Sequence, residues 1–384
     1  MMKKRSLILI SAAAAFILLL SIGTFVTPDV AFSPDENRYL TGKPELNTKN
    51  ILDGSFEKRS EEYLSDQIIG RKKWVEFKGL TEAALGINDI NGVYLCREGR
   101  AVERVTESDF DRANFEKNLR RTADFTEICN EQGIKVHTML VPTAAYVYAD
   151  KLPDHALTFD EESAFKQAED MLEDGFIDIR NSLIAAKYNE EVYFKTDHHW
   201  TGKGARIGAA EFLAAAAGPK QASLAEKEEM ELLSSEFRGT LYSKVLLKTL
   251  GTDIIETSAH ARAADIKVEI EGKEYDSLYF DEYLEQKDKY AVYFGGNYSE
   301  VNIKTGAARD GHKAEEKLLV IKDSFANSMI PFLLDDFSEI TMVDTRFYRG
   351  DISRLAEDYD RVLLVYSVNN FAKEKIVLSG SLLK

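Results

Sequence analysis

Six consecutive residues, Thr196-Asp197-His198-His199-Trp200-Thr201, place one carboxylate and two imidazoles side by side. A second short stretch, Asp323-Ser324, lies just after a strand-like run that ends at Ile321–Lys322. A carboxylate beside an imidazole fixes its tautomer and stabilises the imidazolium, and such an imidazole can take the proton of a serine hydroxyl. If the six residues run extended into the next helix, residues i and i+2 share a face. Asp197 and His199 then point together and His198 points the other way. This makes His199 the candidate general base, Asp197 its orienting partner and Ser324 the candidate nucleophile. Two other readings use the same letters. Adjacent His and Asp residues suit zinc, but neighbouring strand side chains diverge, so His198 and His199 would not both reach one ion. Of the remaining histidines, His155, His260 and His312 fall outside expected core elements, and His137 falls in a core strand, where a packed ring is expected. The third reading is structural: a helix N-cap with a buried hydrogen-bonded pair, and a Ser324 that merely caps an orphan N–H. Triad, metal site and cap all stand at this point.

The elements around these residues favour a parallel α/β core. Residues 134–141 are apolar, rich in β-formers and closed by Pro142, which reads as a strand. Helices are expected over 113–132, 161–172 and 202–217, with a short strand at 176–179. Gly204, Gly208 and Phe212 are spaced by four, so small residues let the last of these helices approach a neighbour closely. Further on, 317–321, 340–343 and 362–366 read as strands, with helices at 325–334 and 352–359 between them. That βαβαβ order implies a parallel sheet with right-handed crossovers and helices on both faces. Ligands bind such sheets at the carboxyl ends of the strands, and Ser324 falls there. A serine at a strand-to-helix turn also has backbone N–H groups beside it for an oxyanion. Residues 219–312 interrupt the alternation and read as an insertion, with strand-like pieces at 266–270 and 291–294.

Composition removes several classes. The 384 residues are 44% hydrophobic and 30% charged, too rich in core-formers for a disordered chain and too polar for a polytopic membrane protein. Acids outnumber bases 65 to 49, a net charge of -16 that argues against a nucleic-acid partner. Lys3, Lys4 and Arg5 precede an uncharged stretch from Leu7 to Val26, about long enough to span the hydrocarbon layer with the cations inside. Residues 1–26 are expected to be a membrane anchor, or a cleaved signal segment, that puts the rest of the chain outside the cytoplasm. Residues 27–55 read as a stalk and entry loop, 56–85 as helical, and 56–384 as the catalytic domain with its insertion. Cys96 and Cys129 would then lie where a disulfide can persist, or remain separate buried thiols.

The motif T-D-H-H-W-T, followed by a helix opening G-x-G-A, resembles the DHHW protein family, which is related to alginate O-acetyltransferase proteins with an SGNH-hydrolase-like domain. E-N-R-Y-L (Glu36 to Leu40), S-D-Q-I-I-G-R (Ser65 to Arg71), L-V-P-T (Leu140 to Thr143), F-R-G-T-L-Y-S-K (Phe237 to Lys244), F-G-G-N-Y (Phe294 to Tyr298), K-D-S-F (Lys322 to Phe325) and D-T-R-F-Y (Asp344 to Tyr348) extend the likeness over roughly residues 30–384. The resemblance implies a three-layer α/β/α SGNH-like fold and a triad of Asp197, His199 and Ser324. It also implies Gly296 and Asn297 as oxyanion donors beside the Ser324 N–H, although G-G-N-Y reads equally as a turn. Arg346, ending a strand on the same edge, would bind a substrate carboxylate or oxyanion, or else form a surface salt bridge. Lys322 departs from the pattern, standing where G-D-S has Gly.

The resemblance implies a membrane-anchored extracytoplasmic serine O-acetyltransferase acting on a cell-surface or secreted polysaccharide through an acetyl-serine intermediate, with no cofactor and no metal. A multispanning membrane acyltransferase is the implied acetyl donor. A carbohydrate acetylesterase of the same fold, a non-catalytic polysaccharide-binding or export scaffold, and a metal phosphoesterase are the competing classes. The last needs further carboxylate clusters, which the sequence does not offer at suitable spacing.

Overall fold

Alternation along the buried strands decides the architecture. In Lys317–Lys322, Leu318 and Val320 belong to one apolar cluster, while Leu319 and Ile321 belong to another. In Arg361–Ser367 the same split separates Leu363 and Val365 from Val362, Leu364 and Tyr366. Strands apolar on both faces must be covered on both, and helices do so here. Phe115, Leu119 and Phe125 of helix Arg112–Glu131 and Phe165 and Ala168 of helix Glu161–Leu172 pack on one face. Ala205, Ala209 and Phe212 of helix Gly202–Ala216 pack on the other. The result is the expected three-layer arrangement. The structure is a computed structural model that describes residues 2–36, 38–305 and 314–378. Asn37, the end of the expected insertion with His312, and residues 379–384 lie outside the described residues.

The large sheet has eight strands: β1 (Lys135–Val141), β2 (Phe176–Asp178), β3 (Lys267–Ile270), β4 (Lys273–Tyr275), β5 (Glu300–Lys304), β6 (Lys317–Lys322), β7 (Glu339–Val343) and β8 (Arg361–Ser367). Their order is β4-β3-β5-β7-β6-β8-β1-β2. The run β7-β6-β8-β1-β2 is parallel, as the sequence pattern implied. The sheet as a whole is mixed, because β5, β3 and β4 add antiparallel strands beyond β7. All three come from the region expected to be an insertion. β6 leads to β7 on one side, and the chain then crosses to β8 on the other. The connections diverge around β6, the place where such sheets open a crevice.

Several local expectations give way. Residues 325–334 form two 3₁₀ turns, Ser324–Ser328 and Ile330–Phe332, rather than one helix. The stretch read as a strand at 291–294 overlaps a 3₁₀ turn, Lys289–Val292. The 56–85 run divides into helices Ser55–Gln67 and Arg71–Ala84. Cys96 and Cys129 are free thiols. Cys96 packs against the cluster on one face of the sheet and Cys129 sits within the cluster on the other, so the sheet separates them.

Two compact units divide the chain: Met1–Ile90 with Tyr242–Lys248, and Asn91–Leu241 with Thr249–Lys384. In the first, Lys4–Val26 lies in a helix long and apolar enough to cross a membrane, with mean hydropathy 2.5. Two stretches that carried the resemblance meet in this unit. Arg38 pairs with Asp66 at 2.5 Å and Arg71 with Glu36 at 2.8 Å. The N–H of Thr41 also donates to Asp66 at 2.9 Å, and these donors, Arg38 foremost, hold that carboxyl down at about 2. Two residues of the expected stalk, Glu36 and Arg38, are therefore tied by ion pairs to the two helices that follow it.

Close approach of helix Gly202–Ala216 to the chain before it depends on Gly204, where an added Cβ would sit 2.3 Å from the Val192 carbonyl oxygen. Backbone cannot yield as a flexible side chain can, so Gly204→Ala is expected to cost about 1–3 kcal/mol. Thermal unfolding followed by circular dichroism checks this; an unchanged Tm would contradict the packing.

Candidate active site

The Asp-His-His segment is a turn, not a strand, and the turn is made by its own carboxylate. Asp197 Oδ1 accepts from the backbone N–H of His199 at 3.0 Å, closing an Asx turn. The same oxygen accepts from His199 Nδ1–H at 2.6 Å. Asp197 Oδ2 accepts from the N–H of Thr240 at 2.7 Å and from its hydroxyl at 2.9 Å. Burial alone would raise this carboxyl. The two imidazoles, the His199 hydrogen bond and the Thr240 N–H outweigh it and hold Asp197 far below the usual carboxylate range.

Because Nδ1 of His199 faces a carboxylate, it carries the proton, and Nε2 of the neutral ring is an acceptor. Ser324 Oγ lies 2.7 Å from that Nε2 and donates to it. The structure thus brings the three residues chosen from the sequence into one hydrogen-bonded chain. It also places His198 differently from the expectation. The two imidazoles do not point apart; their centroids are 3.9 Å apart with planes tilted by 37°. A turn lets adjacent side chains lie on one side where a strand would not. His198 Nδ1 is 2.7 Å from Thr240 Oγ1. That hydroxyl already gives its single proton to Asp197, so His198 Nδ1–H is the donor. Asp197, His198 and His199 each offer one ligand atom within 4.8 Å of the others. Both oxygens of Asp197, both ring nitrogens of His199 and Nδ1 of His198 are engaged in the hydrogen bonds just described. His137 is buried against Phe212 in β1, its ring lowered to about 4 by burial, as a packed core histidine should be.

Ser324 is fixed by the residue before it. Asp323, fully buried, caps the turn by accepting from the Phe325 N–H at 2.9 Å. Its other oxygen accepts from the Ser367 N–H at 2.9 Å and from Asn370 Nδ2 at 2.8 Å. The end of β6 is thereby tied to the end of its neighbour β8. Tyr290 stacks on the His199 ring, centroids 4.0 Å apart and planes within 8°. Its hydroxyl lies 3.0 Å from the Ser324 carbonyl oxygen and donates there. Trp200 Nε1 donates to the Phe325 carbonyl at 3.0 Å from beneath.

Sequence reasoning missed Tyr290 and Thr240. Thr240 lay inside one of the stretches that carried the resemblance, whereas Tyr290 had no signal beyond an aromatic just before the segment read as strand at 291–294. Gly239 is equally constrained, since an added Cβ would lie 2.2 Å from Asp197 Oδ2. Of the remaining candidates, Asn297 Oδ1 accepts from Lys322 Nζ at 2.6 Å. Gly296, next to it, has φ +140, a backbone conformation that only glycine adopts easily. Arg346 is held at the end of β7 by Asp344 at 2.5 Å and faces Glu374 at 3.7 Å. It therefore fits the salt-bridge reading of the two weighed for it.

An α/β/α sandwich with a buried Asp-His pair reaching a serine at the end of a central parallel strand has the form of an SGNH-hydrolase-like domain. Residues 100–297 match the family model described as the SGNH hydrolase-like domain of acetyltransferase AlgX, more than half of the chain, and the chain belongs to that family. The matched stretch includes Asp197 and His199 and ends before Ser324. A relative named probable alginate O-acetylase AlgJ, from Pseudomonas syringae pv. tomato, is 24% identical over 219 residues, 53% of this chain and 54% of that protein. The chain thus aligns with about half of that relative's length. A DHHW family protein from Eubacterium siraeum shares the fold with TM-score 0.60 and 22% identity, covering 74% of this chain and 93% of that one. Bacillus cereus PatB1, solved with a sulfonyl adduct, does so with TM-score 0.57 and 20% identity, covering 73% and 98%.

The short Asp197–His199 hydrogen bond predicts a far-downfield Nδ1 proton resonance in the NMR spectrum. It should vanish in Asp197→Ala and His199→Gln and persist in His198→Gln. Loss in His198→Gln alone would reverse the assignment of the two rings.

Proposed function

We propose that the protein is an extracytoplasmic serine O-acetyltransferase that modifies a cell-surface or secreted polysaccharide, with Ser324, His199 and Asp197 as its catalytic triad. The observation that carries this reading is the chain of hydrogen bonds from Asp197 through His199 to Ser324, in a protein of an acetyltransferase family. Ser324 Oγ attacks the carbonyl carbon of an acetyl donor while its proton passes to His199 Nε2. Asp197 stabilises the imidazolium that results. The tetrahedral intermediate collapses as His199 returns the proton to the departing donor group, leaving acetyl-Ser324. A sugar hydroxyl then gives its proton to His199 and attacks the acetyl carbonyl. Collapse of the second intermediate forms the sugar acetate and restores the Ser324 hydroxyl with the proton from His199.

The oxyanion of each intermediate is met by the Ser324 N–H and the Asn297 amide, with the Gly296 backbone shaping the approach. Asp323 and Tyr290 hold the nucleophile and base in register. The apolar helix at the N-terminus, with its cations inside, tethers the catalytic domain (56–384) to the membrane. A multispanning membrane acyltransferase would present the acetyl group there, and the polysaccharide would be the acceptor.

Three variants test the chemistry with a chromogenic acetyl ester as donor. Ser324→Ala and His199→Ala are expected to lose activity by at least about 10³-fold, and Asp197→Asn by a comparable factor through the wrong tautomer. His198→Ala should lose far less. Intact-mass analysis should detect one acetyl group on the wild-type protein and none on Ser324→Ala. Full turnover by Ser324→Ala would end the proposal. Adding a soluble oligosaccharide separates transfer, which yields acetylated sugar, from simple hydrolysis.

A further inference from the structure

Lys322, which stands where a G-D-S pattern has Gly, sits in a buried polar cluster next to the serine. Lys322, two residues before Ser324, is only 1% exposed, and burial lowers its ammonium to about 8, which leaves it protonated at neutral pH. Its charge is met from several sides. Asp344 and Asp323 face it, and Arg346 and Glu374 lie within electrostatic reach. Its hydrogen bonds, however, go to two neutral amides: Asn297 Oδ1 at 2.6 Å and Asn327 Oδ1 at 2.7 Å. Asn327 belongs to the 3₁₀ turn Ser324–Ser328, and its Nδ2 donates to the same Asn297 Oδ1 at 3.2 Å.

This arrangement settles which way Asn297 faces. An ammonium only donates, so both amides must turn their carbonyl oxygens towards it. Two donors then occupy Asn297 Oδ1, and the NH₂ end must be directed away from Lys322. A glycine before Asp323, as in the usual pattern, would supply no such donor.

We propose that Lys322 is a positioning residue that fixes the Asn297 amide with its NH₂ group presented to the oxyanion formed at Ser324, an inference that rests on the function proposed above. Lys322 touches no reacting atom. It acts by selecting one of the two flips of an amide that would otherwise exchange donor for acceptor at the developing negative charge.

Steady-state kinetics on the full-length protein with 4-nitrophenyl acetate tests this. Asn297→Asp keeps an acceptor for Lys322, and so keeps the tie and the fold, but removes the donor. Its kcat should fall about 10²-fold with KM nearly unchanged, the signature of a lost oxyanion donor. Lys322→Met should lower kcat similarly. Combined with Asn297→Ala it should be no worse than Asn297→Ala alone, because the lysine works through the asparagine. Wild-type kcat in Asn297→Asp, or losses that simply multiply in the double variant, would overturn the proposal. Should Lys322→Met fail to fold, Asn297→Asp decides, since its ammonium remains paired. Wild-type protein as inert as Ser324→Ala would remove the functional reading, and this inference with it. An active wild type alongside a fully active Asn297→Asp removes this inference alone.

Discussion

A single ionised carboxylate, Asp197, buried and away from solvent, organises the site. A charge in that position is tolerable only if donors surround it, and four do: the N–H and Nδ1–H of His199 and the N–H and hydroxyl of Thr240. Satisfying it dictates the local chain. The segment must turn so that His199 comes back over the carboxylate. Residue 239 must be glycine to leave room for Oδ2. Thr240 must be brought to the far oxygen, which also engages the second imidazole. The proton-accepting nitrogen of His199 is then left with one direction to face, and Ser324 is in it.

The serine arrives by a separate device. β6 lies at the divergence of the sheet's connections, and Asp323 stitches its end to β8 by bonding Ser367 and Asn370. The two halves of the site are thus built on different supports, one from the turn that leads into helix Gly202–Ala216 and one from the sheet itself. Tyr290 joins them, covering the imidazole with its ring and bonding the serine's carbonyl with its hydroxyl. It comes from the same region as the antiparallel strands β3, β4 and β5. That region therefore extends the sheet, supplies Tyr290 to the His199–Ser324 pair and places Asn297 against Lys322.

Much of this was legible in the residues, for a physical reason in each case. Buried parallel strands are continuously apolar, so β1, β6, β7 and β8 stood out, as did the amphipathic helix Glu161–Leu172. Asp197 and His199 were paired correctly, but by an argument from strand geometry that the structure replaces with an Asx turn. The right pair emerged because i and i+2 meet in both. His198 was misplaced by the same argument, since only a strand sends neighbours apart. The turn after Ser324 was read as a helix because its apolar spacing suits either a helix or successive 3₁₀ turns. Long-range partners such as Tyr290 and Thr240 leave no local trace in the pattern, and Lys322 was visible as an oddity without its two amides.

The stitching of Asp323 to the end of β8 carries a consequence for how the protein fails on heating. Loops that hold reactive groups usually loosen well before the scaffold beneath them. Here the hydroxyl-bearing turn is fastened to two central strands through the buried Asp323, so it cannot come free without disturbing the buried ends of both. Loss of reactivity and collapse of the whole catalytic unit should therefore share one cooperative event, with no preceding stage in which an intact scaffold carries a disarmed centre.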